Sequence, residues 1–110
     1  MVRLICTCTI LAVVMCIRIH AQEKKDGATV SRGKEVFDQC TGCHSAGTDE
    51  KKVGPSLKGL FQRSKLRNGK AVTEKSVRSR IEQGGDGMPA FSELLSEKEK
   101  IDLISYLRTL

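Results

Sequence analysis

The residues of this sequence that could do chemistry are concentrated in one pentapeptide, Cys40-Thr41-Gly42-Cys43-His44. Cys-x-x-Cys-His is the attachment signature of a c-type haem. Two cysteines three positions apart, just after a helix, point to the same side, so both can form thioethers with the vinyl groups of one porphyrin. The imidazole of the next residue then lies against one porphyrin face and can bind the iron. The pattern predicts one haem c, covalently attached through Cys40 and Cys43 and ligated by His44.

Three other interpretations of these cysteines are weaker. A disulfide between Cys40 and Cys43 would close a strained small loop and leave His44 unexplained. A redox dithiol is expected in a βαβ context, which the sequence does not predict. A zinc site needs about four ligands. After residue 21 the chain offers the two cysteines, one histidine and carboxylates. Haem attachment is therefore favoured.

A second candidate ligand is Met88. Iron held by His44 needs a sixth ligand or an open site, and Met88 is the only methionine after residue 21. It stands in a glycine-rich stretch directly before Pro89, where the backbone can fold closely over a flat cofactor. A thioether opposite a histidine favours ferrous iron, which suits an electron carrier. We predict His44 and Met88 as the metal ligands; an open or lysine-ligated sixth position is the alternative.

The first 21 residues have the pattern of an export signal. Arg3 is followed by an apolar run over residues 4–17, and these fourteen residues fall short of the about 20 that span a bilayer as a helix. The basic start, the short apolar run and the small Ala21 predict a secretory signal peptide, cleaved before Gln22. We expect an exported, periplasmic protein, or one anchored in the membrane and facing the periplasm if the signal is not cleaved.

Composition limits the remaining chain, residues 22–110, to one small domain. Hydrophobic residues make up 39% of the 110-residue sequence and charged residues 29%, which is typical of a globular protein. Aromatic residues are only 4%, and a small domain with so little core material usually needs a metal, disulfides or a cofactor. The length excludes multi-domain enzymes and long repeat arrays.

Local signals predict helices on both sides of a long loop region. Thr73 can cap a helix that ends before Gly84, and Ser96 with Glu99 forms a capping box that begins a final helix. No strand pattern of useful length is found. We predict an all-α fold of three to four helices, with long loops wrapped around the haem. The predicted elements are a polar lead-in over 22–29, helices over 30–39, 74–83 and from 97, a helical turn near 57–61 and a loop over 84–91.

With these residues in place, the chain resembles a class I cytochrome c, the monohaem, His/Met-ligated family, over nearly all of residues 30–110. The stretch 54–63 resembles the one that follows the haem motif in mitochondrial members, and 88–91 resembles a bacterial axial-methionine loop. The resemblance implies the small cytochrome c fold. It also implies that the carbonyl of Pro55 accepts a hydrogen bond from His44, and that Arg63 lies near a haem propionate.

The same resemblance implies a crossing of the first and last helices. Gly33 and Phe37 are similar to the residues of the N-terminal helix that pack against the C-terminal helix in this family. Tyr106 would supply the aromatic partner of Phe37. We therefore expect these two helices to be in close contact.

Positive charge is concentrated between residues 50 and 80. Ten lysines and arginines there face two glutamates, a net charge of +8. We expect this charge to steer the protein toward redox partner proteins with acidic docking surfaces; a solvated polar face is the alternative. An exported chain rarely meets nucleic acid, so we expect none to bind.

The predicted function is one-electron transfer between extracytoplasmic redox partners, with the haem iron cycling between Fe(III) and Fe(II). We expect no enzyme activity, because peroxidase or gas-ligand chemistry needs an open iron site and a distal base, and no second histidine follows residue 21. The alternative is a haem-bearing electron-acceptor subunit of a periplasmic dehydrogenase or oxidase complex. We expect a monomer that can associate loosely with membrane respiratory complexes.

Overall fold

The computed structural model describes residues 26–110, and within them the chain is helical. The predicted all-α class is confirmed, since the described residues form only two isolated β-bridges and no strand. No helix in this part is long and apolar enough to cross a membrane. The helices are α1 (26–37), α2 (Glu74–Gln83) and α3 (Glu97–Leu107), with short 3-10 helices at Asp38–Cys40 and Leu60–Gln62.

The first helix differs from its predicted bounds. Residues 26–29 are helical, so the prediction of a polar lead-in is wrong for them. Their polar side chains are compatible with a helix turn that faces solvent. The proposed signal peptide over 1–21, its cleavage, and residues 22–25 lie outside the described residues.

The N-termini of α2 and α3 are confirmed. Thr73 Oγ1 accepts a hydrogen bond from the Ser76 N–H (3.1 Å), and Ser76 Oγ accepts one from the Thr73 N–H (2.9 Å). At α3, Ser96 Oγ accepts from the Glu99 N–H and the Glu99 carboxylate accepts from the Ser96 N–H. Both reciprocal boxes satisfy amide groups that a helix start leaves unpaired. The Ser96 hydrogen bonds lower the pKa of Glu99.

The predicted crossing of α1 and α3 is confirmed at Gly33. A Cβ atom at this position would lie 1.9 Å from the carbonyl oxygen of Asp102, so the two backbones can approach only because residue 33 has no side chain. One turn further on, the rings of Phe37 and Tyr106 lie 5.4 Å apart at 54°, a tilted geometry that aromatic pairs favour. This crossing places the end of α1, and thus the cysteines that follow, against α3.

A buried carboxylate ties the two helices together beside this crossing. The Asp102 side chain is only 4% exposed. It accepts hydrogen bonds from Arg32 Nε (2.8 Å) and Nη2 (3.1 Å) on α1, and from Lys98 Nζ (2.7 Å) on α3. The Arg32 guanidinium, and then Lys98, hold the pKa of Asp102 below its usual value against the opposing effect of burial. The ionised form of Asp102 therefore stabilises the fold.

We predict that this contribution depends on pH. Because the pKa of Asp102 is lowered in the folded state, its contribution is present above the unfolded-state pKa of about 4 and is lost as the pH falls through the folded-state value. Asp102→Asn should lower the free energy of unfolding by about 1.5–3 kcal/mol at pH 7, the size of hydrogen bonds to a charged group. The difference in stability between the variant and the wild type should shrink as the pH falls below the unfolded-state pKa, as measured by urea unfolding followed by circular dichroism.

The matched control is Asp49→Asn. Asp49 pairs with Lys58, but its side chain is 85% exposed, and such pairs contribute little. An equal loss of stability for Asp102→Asn at pH 3 and at pH 7 would contradict the assignment.

Candidate haem-binding site

The residues predicted to hold the haem all line one cavity. It has a volume of about 400 Å³, and its walls are largely apolar. Cys40, Cys43 and His44, which precede α2, line this cavity together with Met88, which follows α2. The fold thus brings together two groups of residues that are more than forty positions apart. The apolar wall residues that are also buried come from α1, α2, α3 and the 3-10 helix Leu60–Gln62: Phe37, Leu60, Val77, Ile81, Leu103 and Leu107.

The backbone of the pentapeptide turns the two cysteines toward the cavity. Cys40 ends the short 3-10 helix that continues α1. Its carbonyl oxygen then accepts hydrogen bonds from the amides of Cys43 (3.1 Å) and His44 (2.8 Å). This turn brings residues 40, 43 and 44 to the same wall, while Thr41 and Gly42 are exposed. Cys40 is half-buried and Cys43 is exposed, so the second cysteine lies at the cavity mouth.

The imidazole of His44 is oriented by the chain that follows it. His44 Nδ1 lies 2.7 Å from the carbonyl oxygen of Pro55, which confirms the expected contact. A carbonyl oxygen can only accept, so Nδ1 carries the hydrogen and Nε2 keeps its lone pair for a metal. Gly54 packs on the ring edge: a Cβ atom there would lie 2.4 Å from Cε1 and 2.8 Å from Nδ1. The tautomer and the ring plane are thereby both fixed before any ligand binds.

Met88 lies in a compact loop between α2 and α3. Gly85 and Met88 exchange two backbone hydrogen bonds, of 2.9 and 3.1 Å. The two residues between them, Asp86 (φ 54°) and Gly87 (φ 87°), have the positive φ angles that a type I′ turn requires. The chain then returns to α2, where the Phe91 amide donates to the carbonyl of Ile81 (3.0 Å). The predicted loop over 84–91 is a tightly closed turn that presents Met88 to the cavity.

The electrostatics at Cys40 do not favour a redox dithiol. Burial, and then the neighbouring Cys43, raise the pKa of the Cys40 thiol, whereas reactive dithiols depend on a lowered pKa. A zinc site also lacks support, since no three His, Cys, Asp or Glu side chains in residues 26–110 are placed so that they could share one metal ion. The donor set of two thiols, one imidazole and one thioether around an apolar cavity fits haem c.

Charged side chains also contribute to the cavity wall, and most are cations. The wall contains four cationic residues and one carboxylate: Arg63, Lys65, Arg67, Arg80 and Asp86. Arg63 Nη2 donates to the carbonyl of Lys58 (2.5 Å), which holds the guanidinium at the wall. A cationic rim suits the carboxylates of haem propionates, so the placement of Arg63 is compatible with its expected role.

Three features of the site had no clear signal in the sequence. The first is the close approach of Gly54 to His44, which joins residues ten positions apart. The second is the contact of Arg80 with the Met88 loop, which forms across a turn. Val53 lines the cavity although its side chain is 77% exposed, which places it at the mouth. Only Gly54 was indicated at all, through the resemblance of the stretch that contains it.

Comparison with known proteins agrees with this site. A family model, Cytochrome c, matches residues 30–110. Cytochrome c2 from Blastochloris viridis is 33% identical over 93 residues, an alignment that covers 69% of this chain and 73% of that protein. The solved structure of cytochrome c6 from the diatom Phaeodactylum tricornutum superposes with a TM-score of 0.57 at 31% identity, and covers 73% of this chain and 91% of that one.

The chain therefore belongs to the cytochrome c family, within its class I monohaem members, which are haem c electron carriers. It carries one covalently attached haem c, and the expected family, cofactor and small cytochrome c fold are confirmed.

We predict that Gly54→Ala disrupts the site. The new methyl group has to displace the imidazole ring of His44, which stretches the hydrogen bond to Pro55. Overpacking of this kind costs about 1–3 kcal/mol, so the variant should unfold at lower urea concentration and give a lower yield of covalently attached haem.

Gly47→Ala is the control, because a Cβ atom at Gly47 meets nothing within 4 Å. Equal haem yield and equal stability of the two variants would show that Gly54 does not constrain the ring.

Proposed function

We propose that the protein transfers single electrons between extracytoplasmic redox partners through a His/Met-ligated haem. Cys40 and Cys43 would hold the haem through thioether links, and His44 Nε2 and Met88 Sδ would be the donor atoms for its iron. When bound, the haem supplies a one-electron couple between ferric and ferrous iron. The observation that carries the proposal is the convergence of all four side chains on one apolar cavity, with His44 Nδ1 already engaged by Pro55.

The protein contributes rigidity and exclusion of water. The apolar wall lowers the local dielectric around the iron, and a thioether ligand favours its reduced form. Tight packing around the ligand loops means that little has to rearrange when the charge on the iron changes. Such a site suits a carrier rather than an enzyme, because two internal donors, His44 and Met88, would leave the iron no open position for a substrate.

The cavity mouth indicates where electrons leave. Val53 and Cys43 are exposed and line the cavity, so we propose that a partner approaches the haem at this edge. Lys51 and Lys52 stand directly beside Val53, and Lys52 Nζ donates to the carbonyl of Thr41 across the pentapeptide (2.8 Å). Lysines around an apolar contact favour encounter with an acidic surface on a partner protein. We propose that the protein works in this way as an exported monomer.

Replacement of the Met88 side chain tests the proposed iron ligands. Met88→Leu keeps an apolar side chain of similar volume but has no donor atom. The ferric wild type should show the weak far-red band of methionine-to-iron charge transfer. The variant should lose the band, have a lower reduction potential, and bind imidazole at least about tenfold more tightly, because no internal ligand competes.

The control is Val53→Ala, which shortens a side chain of the same cavity and leaves the donor in place. A wild type without the far-red band, or one that binds carbon monoxide readily, would overturn Met88 ligation and favour an open site.

Charge reversal tests the docking face. Lys51→Glu with Lys52→Glu should slow electron exchange with an acidic redox partner by about tenfold or more at low ionic strength, and should flatten the dependence of the rate on salt. Stopped-flow reduction across a series of salt concentrations measures both effects.

The matched control is Lys34→Glu with Lys75→Glu, which changes the net charge equally at exposed positions on α1 and α2 that do not line the cavity. If both pairs slow the reaction equally, net charge and not this face controls association.

A further inference from the structure

The loop that presents Met88 is held by a side chain of the preceding helix. Arg80 lies in the last turn of α2 with its side chain 22% exposed. Its Nη1 donates to the carbonyl of Gly84 (3.0 Å), and its Nη2 lies 3.2 Å from Asp86 Oδ2. One guanidinium therefore contacts the loop at its first residue and at its tip.

The loop is shaped to accept this contact. Asp86 is the only non-glycine with a positive φ angle among residues 26–110, a conformation that aspartate tolerates better than most residues. Gly85 lies under the guanidinium: a Cβ atom there would stand 2.8 Å from Arg80 Nη1. At Gly84, a Cβ atom would stand 2.4 Å from the carbonyl oxygen of Met88. Neither Gly84 nor Gly85 thus has room for a side chain.

We propose that the Arg80–Asp86 pair is a positioning device that holds the Met88 thioether on the iron. The inference rests on the proposed ligation by Met88 and goes beyond it by naming what sets the strength of that ligation. The turn between Gly85 and Met88 has two backbone hydrogen bonds of its own, but these fix only its internal shape. The backbone hydrogen bond from Phe91 to Ile81 holds the far end of the loop on α2, and Arg80 adds the contact that joins the tip of the turn to that helix. In this proposal the second contact sets how firmly Met88 is presented to the haem.

The effect of the Arg80 charge on the iron can be distinguished from its effect on the position of the Met88 loop. Both members of the pair line the cavity, so removing either charge shifts the reduction potential. Arg80→Gln removes a positive charge and Asp86→Asn a negative one, and these shifts have opposite signs. Release of the loop works in the same direction in both variants, because either one breaks the same contact. Asn also tolerates the positive φ angle at position 86.

The test is imidazole binding to the ferric holoprotein, followed through the far-red band. Arg80→Gln and Asp86→Asn should each raise the apparent imidazole affinity by about two- to fivefold and weaken the band, the range expected for one partly exposed ion pair. The double variant should resemble Arg80→Gln, because Asp86→Asn removes no contact that the arginine substitution has not already removed.

Arg78→Gln is the matched control. Arg78 lies on the same helix but pairs with Glu82 and Glu97, away from the Met88 loop. If Arg80→Gln and Asp86→Asn bind imidazole like Arg78→Gln while the wild type keeps its far-red band, the positioning role is refuted and Met88 ligation stands. Opposite shifts of imidazole affinity in the two variants would likewise refute it in favour of a charge effect. A wild type that lacks the band would instead refute Met88 ligation itself.

Discussion

The apolar core of this protein is also the wall of its haem cavity, and the rest of the structure depends on that constraint. Of the nine buried apolar residues in the described part, six line the cavity. A chain with 4% aromatic residues has little else to pack against, so the cofactor serves as the largest apolar body of the core. Folding and haem binding are for this reason coupled: side chains that would stabilise an ordinary small domain here face a porphyrin.

The helices form the scaffold of the site, and the loops carry the side chains proposed to bind the iron. Gly33 allows the backbones of α1 and α3 to meet, and the buried Asp102 fixes their register through Arg32. That crossing delivers Cys40 to the cavity wall. The proposed iron ligands lie outside the regular helices, since His44 follows a turn and Met88 closes another. Loops on a rigid scaffold can hold groups at angles that a helix surface does not offer.

The parts of the structure that were predictable from sequence are those that depend on short stretches of chain. The capping residues Thr73 and Ser96 act on amides three positions away, so their helices could be placed correctly. The pentapeptide over residues 40–44 predicts a haem c cofactor through its residue types and their spacing alone. By contrast, the start of α1 was predicted too late, because its polar first turn carries no apolar periodicity. The packing of Gly54 on His44 arises only when two loops meet. A glycine followed by a proline in the sequence predicts a loop but does not specify which side chain that loop will contact.

The structure also separates what stabilises the fold from what sets ligand geometry. The Arg32–Asp102 pair lies between α1 and α3, whereas Pro55 and Gly54 act on His44, and Arg80 and Asp86 act on the loop of Met88. Each of the two proposed iron ligands thus has local contacts of its own, in addition to the helix crossing. Sequence changes near one ligand can alter its bond to the iron while the scaffold and the other ligand stay in place. Because the axial ligands influence the reduction potential of a haem, a fold of this kind can be tuned to different redox partners through its loops without repacking its core.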